Sequence, residues 1–331
     1  MKKIYKNKII LVTGGVGSIG SVLVRKILKY NPKTIRVLDN NETGLFNLKQ
    51  ELCADNRVRL LLGDIRDKER LRRAIEDVDL VFHSAALKHV SLCEFNPFEA
   101  IQTNVIGTKN LIEVAMDEEV ERFITISTDK AVSPISVLGA TKLLAERLTV
   151  SANLYKGKKE TIFSCVRFGN VLNSHGSVVP IFKEQLRKGG PITITEEGMT
   201  RFIMNVDKAT ELVLKAAQMS RGGEIFILKM SALRIKDLAK AVIEEMASTY
   251  GQDPKKIRIK FIGKSYGEKM HEELMSEDEA EIAYETDEMF ILPFLNCKKM
   301  TKKNKIIIRN SKDCNPLAVK EIKELLNKLS D

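Results

Sequence analysis

Lys8-Ile9-Ile10-Leu11-Val12-Thr13-Gly14-Gly15-Val16-Gly17-Ser18-Ile19-Gly20 decides the fold. The apolar run at its start reads as a short strand buried on both faces, and the stretch from Ser21 to Leu28 has helical apolar spacing. Between them Gly14, Gly17 and Gly20 follow a G-x-x-G-x-x-G spacing. Such a loop turns tightly, lets the backbone approach a pyrophosphate and presents helix N-terminal N–H groups to it. Three glycines alone could be a simple turn, but a second strand, Ile35 to Leu38, ends at Asp39, nineteen residues beyond Gly20. An acid there suits the ribose hydroxyls of NAD and repels the 2′-phosphate of NADP. NAD is therefore expected in preference to NADP, on Gly14, Gly17, Ser18, Ile19, Gly20, Asp39 and Asn40.

The alternation of strand and helix continues outward. Strand Val58 to Leu62 leads into Gly63-Asp64-Ile65-Arg66-Asp67, then a helix from Lys68 to Ile75 and a strand from Leu80 to Phe82. Asp64, with Ile65 beside it, is placed to accept from the adenine amino group, or else caps the next helix. Ser84-Ala85-Ala86 offers small side chains where a cofactor passes close. Leu87-Lys88-His89 and one long helix from Pro97 to Asp117 follow, and Asn104 in that helix joins the cofactor candidates. The run Phe123 to Ile126 reads as another buried strand, and Leu138 to Val150 as a helix. Thr128, Asp129 and Lys130 thus stand at a strand's carboxyl end, the edge at which open α/β sheets bind ligands. A polar turn is the alternative reading. Ile162 to Val166 then leads into Arg167-Phe168-Gly169-Asn170. Repeated β-α units predict a Rossmann-type, doubly wound parallel sheet of the α/β class.

Beyond Asn170 the pattern loosens, and a smaller C-terminal substrate-binding lobe is expected. The NAD-binding domain is assigned to 1–172, with 201–230 returning to it, the lobe to 173–200 and 231–297, and a basic segment ending in an amphipathic helix, Pro316 to Leu329, to 298–331. Arg167, Arg201 and Lys269 are candidates for a diphosphate, because Arg binds such groups through two parallel hydrogen bonds. Each could equally be a solvated charge.

Composition excludes several classes. The 331 residues carry a net charge of +10, mixed along the chain, with no Trp and no basic stripe interleaved with aromatics, so nucleic acid is not the expected partner. The five cysteines, Cys53, Cys93, Cys165, Cys297 and Cys314, are dispersed, and neither a disulfide frame nor a metal site is expected. No stretch approaches the roughly 20 apolar residues that span a bilayer. A cytoplasmic protein without membrane insertion is expected.

Taken together these motifs resemble those of the extended short-chain dehydrogenase/reductases, and specifically the UDP-N-acetylglucosamine 4,6-dehydratases of capsular and flagellin-glycan type. The resemblance rests on Thr13 to Gly20, Gly63 to Asp67, Ala85 to Val90, Thr103-Asn104, Ser127 to Ala131, Arg167 to Val171, Gly176 to Pro180, Met199 to Phe202 and Gly267-Glu268-Lys269. It implies a cycle for surface polysaccharide or glycan synthesis. NAD takes hydride from sugar C4, water leaves across C5 and C6, and the hydride returns to C6, giving a UDP-4-keto-6-deoxy sugar. By analogy Thr128 bonds near O4, Asp129 protonates the departing C6 hydroxyl, Lys130 takes the C5 proton and Lys142 holds the nicotinamide ribose. Acting as a base would require the Lys130 pKa to fall, through burial beside Lys142 and the nicotinamide. The UDP-sugar is placed against Lys88, His89, Asn170, Ser177, Val178 and Arg201, with Glu268 on the uridine ribose. Homo-oligomers through the helices at about 97–117 and 138–155 are also implied.

Two positions depart from the family. The usual Tyr-x-x-x-Lys keeps its lysine, Lys142, but has Leu138 in place of tyrosine, and leucine cannot exchange a proton. Asp129, directly or through Thr128 or water, would then receive the O4 proton. Ser265-Tyr266 stands where relatives show Arg-Pro. The rival readings are a UDP-sugar 4-epimerase, which needs no acid and base for elimination, and a catalytically silent NAD-binding module, for which Leu138 argues.

Overall fold

The chain builds its large sheet from apolar runs whose alternate residues point into opposite layers. The structure is a computed structural model that describes residues 2–52, 55–174, 176–293 and 310–328. In β1 (Ile9–Thr13), Ile10 and Val12 enter one core while Leu11 enters another on the far side, as the two-residue repeat of a strand requires. The glycine loop then feeds α1 (Gly20–Leu28), and β2 (Thr34–Asp39), α2 (Glu42–Glu51), β3 (Val58–Leu62), α3 (Lys68–Ile75) and β4 (Leu80–His83) continue the alternation. Asn41 and Asp67 begin α2 and α3 by accepting from the N–H of Gly44 and of Arg70, the preferred cap chemistry.

The expected helix from Pro97 to Asp117 is present but carries a π-helical segment within it. The separate short α4 (Val90–Phe95) precedes it, and the helix runs unbroken over that range as α5 (Pro97–Ile101), a π-helical segment at Gln102–Gly107 and α6 (Thr108–Asp117). Apolar periodicity could not reveal the π turn, because its extra residue leaves the helix direction unchanged. β5 (Arg122–Thr128) follows, then α7 (Val137–Tyr155), capped by the Ser136 hydroxyl on the Gly139 N–H, and β6 (Ile162–Phe168).

The C-terminal part adds β7 (Asn170–Val171), α8 (Val178–Arg187), β8 (Ile192–Ile194), β9 (Thr200–Met204), α9 (Val206–Met219), β10 (Ile225–Leu228), β11 (Ser231–Arg234), α10 (Ile235–Met246), β12 (Ile259–Phe261), α11 (Glu277–Ile282), β13 (Tyr284–Glu285), β14 (Met289–Leu292) and α12 (Val319–Asn327). The nine-stranded sheet has the order β13-β14-β10-β6-β5-β4-β1-β2-β3. From β3 to β10 every pairing is parallel, and only β14 and β13 join antiparallel. The expected doubly wound sheet is therefore present, with α1 and α9 packed on one face and α3 and α6 on the other.

A separate core holds the smaller lobe, where Val179, Phe182 and Leu186 of α8 meet Leu238 and Val242 of α10 and Ile322 and Leu326 of α12. Two short sheets, β11-β9-β7 and β12-β8, complete it. Two assignments change here. The return of 201–230 to the large domain begins only with α9, because β9 pairs with β7 and β11 in the lobe's sheet. Residues 284–292 were placed in the lobe, yet β13 and β14 extend the large sheet, with Phe226 paired to Ile291; their apolar side chains complete the core beside β10. Residues 298–309 of the basic segment, like Cys53 and Cys297, lie outside the described residues. No helix among the described residues is long and apolar enough to cross a membrane.

Candidate active site

The order β3-β2-β1-β4-β5-β6 reverses between β1 and β4, which opens a crevice beyond the strands' carboxyl ends. A cleft of about 1300 Å³ lies there. At its floor Gly14 has φ +64, and a Cβ on it would come within 2.6 Å of the Ala85 backbone nitrogen, so only glycine fits. The N-terminus of α1 carries neither a side-chain cap nor an acid in its first turn, so its positive end faces an anion without competition from a carboxylate. Gly17, Ser18, Ile19 and Gly20 line this end of the cleft. Asp39 holds the loop through Oδ2, which accepts from the Val16 N–H at 3.1 Å, while Oδ1 accepts from the Asn41 N–H at 3.0 Å. Its carboxylate and Asn40 both face the cleft. Asp64 faces it too, but Arg66 already clasps that carboxylate at 2.7 Å, and their pairing holds it below the usual carboxylate range despite burial. Ile65 lines the same wall. Ser84, Ala85 and Ala86 form the opposite wall, with the Ser84 hydroxyl tied to the Thr13 carbonyl at 2.7 Å. Beneath them burial keeps His83 neutral, its pKa lowered to about 3, between the hydroxyls of Thr13 and Thr108. These residues fit a dinucleotide: a glycine cradle, an open helix N-terminus and a carboxylate at the second strand's end.

The reactive cluster stands where β5 ends. Thr128 is the last residue of the strand, and Asp129–Ala131 forms a 3₁₀ turn that folds Asp129 under it. The Thr128 hydroxyl donates to Asp129 Oδ1 at 2.9 Å. Lys130 Nζ donates to the same oxygen at 3.1 Å and to Asn170 Oδ1 at 3.1 Å, and lies 3.5 Å from Glu272 Oε1. Lys142 Nζ donates to the Ile126 carbonyl at 2.6 Å, and burial lowers its pKa to about 8. One turn before it, Leu138 packs with Cys93 and Ala100 and lines the cleft without a polar atom.

Two expectations about this cluster are corrected. Lys130 does not meet Lys142 in the manner a lowered pKa would need. Burial pulls its ammonium down, but Asp129 and Glu272 outweigh that pull and hold it above the ordinary lysine value. Asp129 does not line the cleft. It is fully buried, its Oδ2 lies where a Cβ on Gly169 would approach to 2.6 Å, and burial raises its pKa against the pull of Lys130. Its access to the cleft runs through Thr128 and Lys130.

Lys88, His89, Asn170, Ser177 and Val178 line the far half of the cleft. Ser177 precedes α8, and its buried hydroxyl has no hydrogen-bond partner. Arg201 and Glu268, expected to serve different parts of a nucleotide-sugar, pair with each other at 3.2 Å, and Arg201 also donates to the Thr200 and Met270 carbonyls. Lys269 lines the cleft and donates to the Val132 carbonyl at 2.6 Å.

Two further candidates lie outside it. Asn104 is 1% exposed, and its amide is consumed by the Leu87 N–H and carbonyl and the Thr141 hydroxyl, so it positions the Leu87 backbone and does not reach a cofactor. Arg167 is fully buried between Glu146 and Glu279, because its side chain points from β6 into the sheet's helical layer and not toward the cleft. Sequence reasoning missed Glu272. It lies just beyond Gly267-Glu268-Lys269, is 2% exposed and lines the cleft. A second carboxylate four residues past Glu268 was the signal available.

The family described as "Polysaccharide biosynthesis protein" matches residues 10–293. A Methanocaldococcus jannaschii protein, described as an uncharacterized membrane protein, is 62% identical over 98% of this chain and 97% of its own. The UDP-N-acetylglucosamine 4,6-dehydratase (inverting) of Campylobacter jejuni is 39% identical over 87% of this chain and 83% of its own. The X-ray structure of Pen from Bacillus thuringiensis superposes with a TM-score of 0.93 at 41% identity, covering 99% of both chains. Relatives at similar identity carry dehydratase and UDP-glucose 4-epimerase names alike.

Proposed function

The chain belongs to the polysaccharide biosynthesis protein family, within the extended short-chain dehydrogenase/reductases, and from that premise we propose that it is an NAD-dependent UDP-N-acetylglucosamine 4,6-dehydratase. The observation that carries the reading is the Thr128-Asp129-Lys130 cluster at the end of β5, a connected set of proton-carrying groups beside the dinucleotide half of the cleft. Bound along Gly14 to Gly20, NAD would accept hydride from sugar C4 and return it to C6. Asp39 favours NAD over NADP by repelling a 2′-phosphate.

The protein's own groups supply the proton chemistry that leucine at 138 cannot. Thr128 Oγ1 accepts the O4 proton as hydride leaves C4 and passes its own to Asp129, 2.9 Å away. Burial of Asp129 favours the protonated acid that this transfer makes. Lys142 holds the nicotinamide ribose. The sugar diphosphate falls to Ser177 and the N-terminus of the ten-residue α8, which begins at the cleft with Val178, with Lys88 nearby and Glu268 toward the uridine. A second copy of the chain covers Phe95 and Phe98, which are 85% and 79% exposed on α4 and α5 where these pack on α7.

The epimerase reading shares the first oxidation and leaves C5 untouched. Incubation with UDP-N-acetylglucosamine in deuterated water, followed by NMR and mass analysis, separates the two. Deuterium at C5 of a 4-keto-6-deoxy product is the expected result. Conversion to the galacto epimer with no loss of water would refute the dehydratase reading.

A further inference from the structure

Three groups with dissociable protons meet at the cleft's centre, and only two of them face it. Lys130 lies between two carboxylates, Asp129 Oδ1 at 3.1 Å and Glu272 Oε1 at 3.5 Å. Asp129 is sealed beneath the cleft wall, whereas Glu272 lines the cleft. Glu272 Oε1 faces Lys130 and, at 3.8 Å, the Arg201 guanidinium, while Oε2 is buried without a hydrogen-bond partner. A carboxylate kept only as a counter-ion would engage both oxygens, since a buried acceptor left unpaired costs about 1–3 kcal/mol. The backbone of Glu272 is fixed on both sides, its N–H donating to the Ser311 hydroxyl and its carbonyl accepting from the Ser311 N–H, each at 2.9 Å.

We propose that Glu272 is the base that removes the C5 proton and later returns it, and that Lys130 is the acid that protonates the departing C6 hydroxyl. This assignment rests on the dehydratase reading and exchanges the lysine's expected role. Elimination across two adjacent carbons needs an acid and a base side by side, and the Lys130–Glu272 pair has that spacing. The charges also fit: burial acts to raise Glu272, but Lys130, Arg201 and Lys269 hold it low and therefore ionised, while Lys130 is held protonated.

The protons balance over one turnover. The O4 proton goes through Thr128 to Asp129 when C4 is oxidised. The Glu272 carboxylate takes the C5 proton, the C6–O bond breaks, and Lys130 gives its proton to the leaving hydroxyl, which departs as water. Asp129 then reprotonates Lys130 across 3.1 Å. Hydride reaches C6, Glu272 returns a proton to C5, and all three side chains regain their starting states.

The test measures three signals with UDP-N-acetylglucosamine in deuterated water: reduced cofactor by absorbance, deuterium at C5 of recovered sugar, and dehydrated product. For Glu272→Gln we expect reduced cofactor still to form, with C5 exchange down by about 100-fold or more. Glu272→Asp, which keeps the carboxylate, should recover part of that exchange and guards against a simple folding defect, as does the bound-NAD content of each variant. Lys130→Met should lose product yet keep exchange. Exchange in Glu272→Gln within about tenfold of the unaltered protein, or its loss in Lys130→Met, would overturn the assignment and return the base to lysine. If the unaltered protein makes no dehydrated product, the dehydratase reading fails first, before any variant is compared.

Discussion

Replacing Arg167 with methionine should strip the fold of a buried cation whose donors are all in use. Nε and Nη2 bond the two oxygens of Glu146 at 3.0 and 2.7 Å, Nη1 and Nη2 bond those of Glu279 at 2.7 and 2.9 Å, and Nη1 also reaches the Leu274 carbonyl at 3.1 Å. Glu146 has no exposed side-chain surface, so the variant strands its carboxylate; Glu279 is 15% exposed and keeps the Ser276 N–H. Breaking a buried pair by removing one partner costs about 3–5 kcal/mol, and Glu146 accounts for most of it here. With an unfolding entropy of about 0.7 kcal/mol/K for a chain of this size, a loss of about 4 kcal/mol lowers the melting temperature by about 6 °C. Calorimetry measures it. The double variant Arg167→Met with Glu146→Leu should recover most of the loss, because an apolar pair of similar volume avoids the stranded charge. A drop of under about 1 °C in the single variant, or no recovery in the double, would refute the argument. The same variant should weaken catalysis as well, since Arg167 anchors the carbonyl two residues beyond Glu272.

Thr128→Val removes the hydroxyl through which Asp129 meets the cleft, and the rate of cofactor reduction should fall by about 10²–10⁴-fold, with Thr128→Ser close to the unaltered protein; absorbance in a stopped-flow cell reads both. Lys142 has a folded pKa of about 8 against an unfolded value of 10.5, so the folded state binds fewer protons between those limits and stability rises with pH across them. Lys142→Met should flatten that rise, worth up to about 3 kcal/mol, in urea unfolding of the ligand-free protein measured from pH 7 to pH 10. Phe98→Glu should shift the proposed oligomer to smaller species in sedimentation velocity, because a charge at a face where the ring is 79% exposed opposes apolar contact with a second copy.

Which parts of the site could be read from the chain follows from how local each signal is. The glycine loop, Asp39 and the Thr128-Asp129-Lys130 triplet each depend on a single strand-to-turn junction, and each junction lies where the sequence reading put it. Asn104 shows the limit. Its place in the helix was legible, but the π turn directs its amide to Leu87 and Thr141. Arg167 shows another: being next to the cleft in sequence said nothing about the direction of its side chain from β6.

By itself the sequence determined the doubly wound sheet, the dinucleotide crevice and the strand that carries the reactive triplet, because strand and helix periodicities and glycine spacing act over a few residues. Only the tertiary structure decided which of those polar groups face the cleft. It buried Asp129 behind Thr128, and it brought Glu272, 142 residues along the chain, to within 3.5 Å of Lys130. The protonation of a lysine depends on the charges that surround it in space, and those come from segments that no local pattern connects.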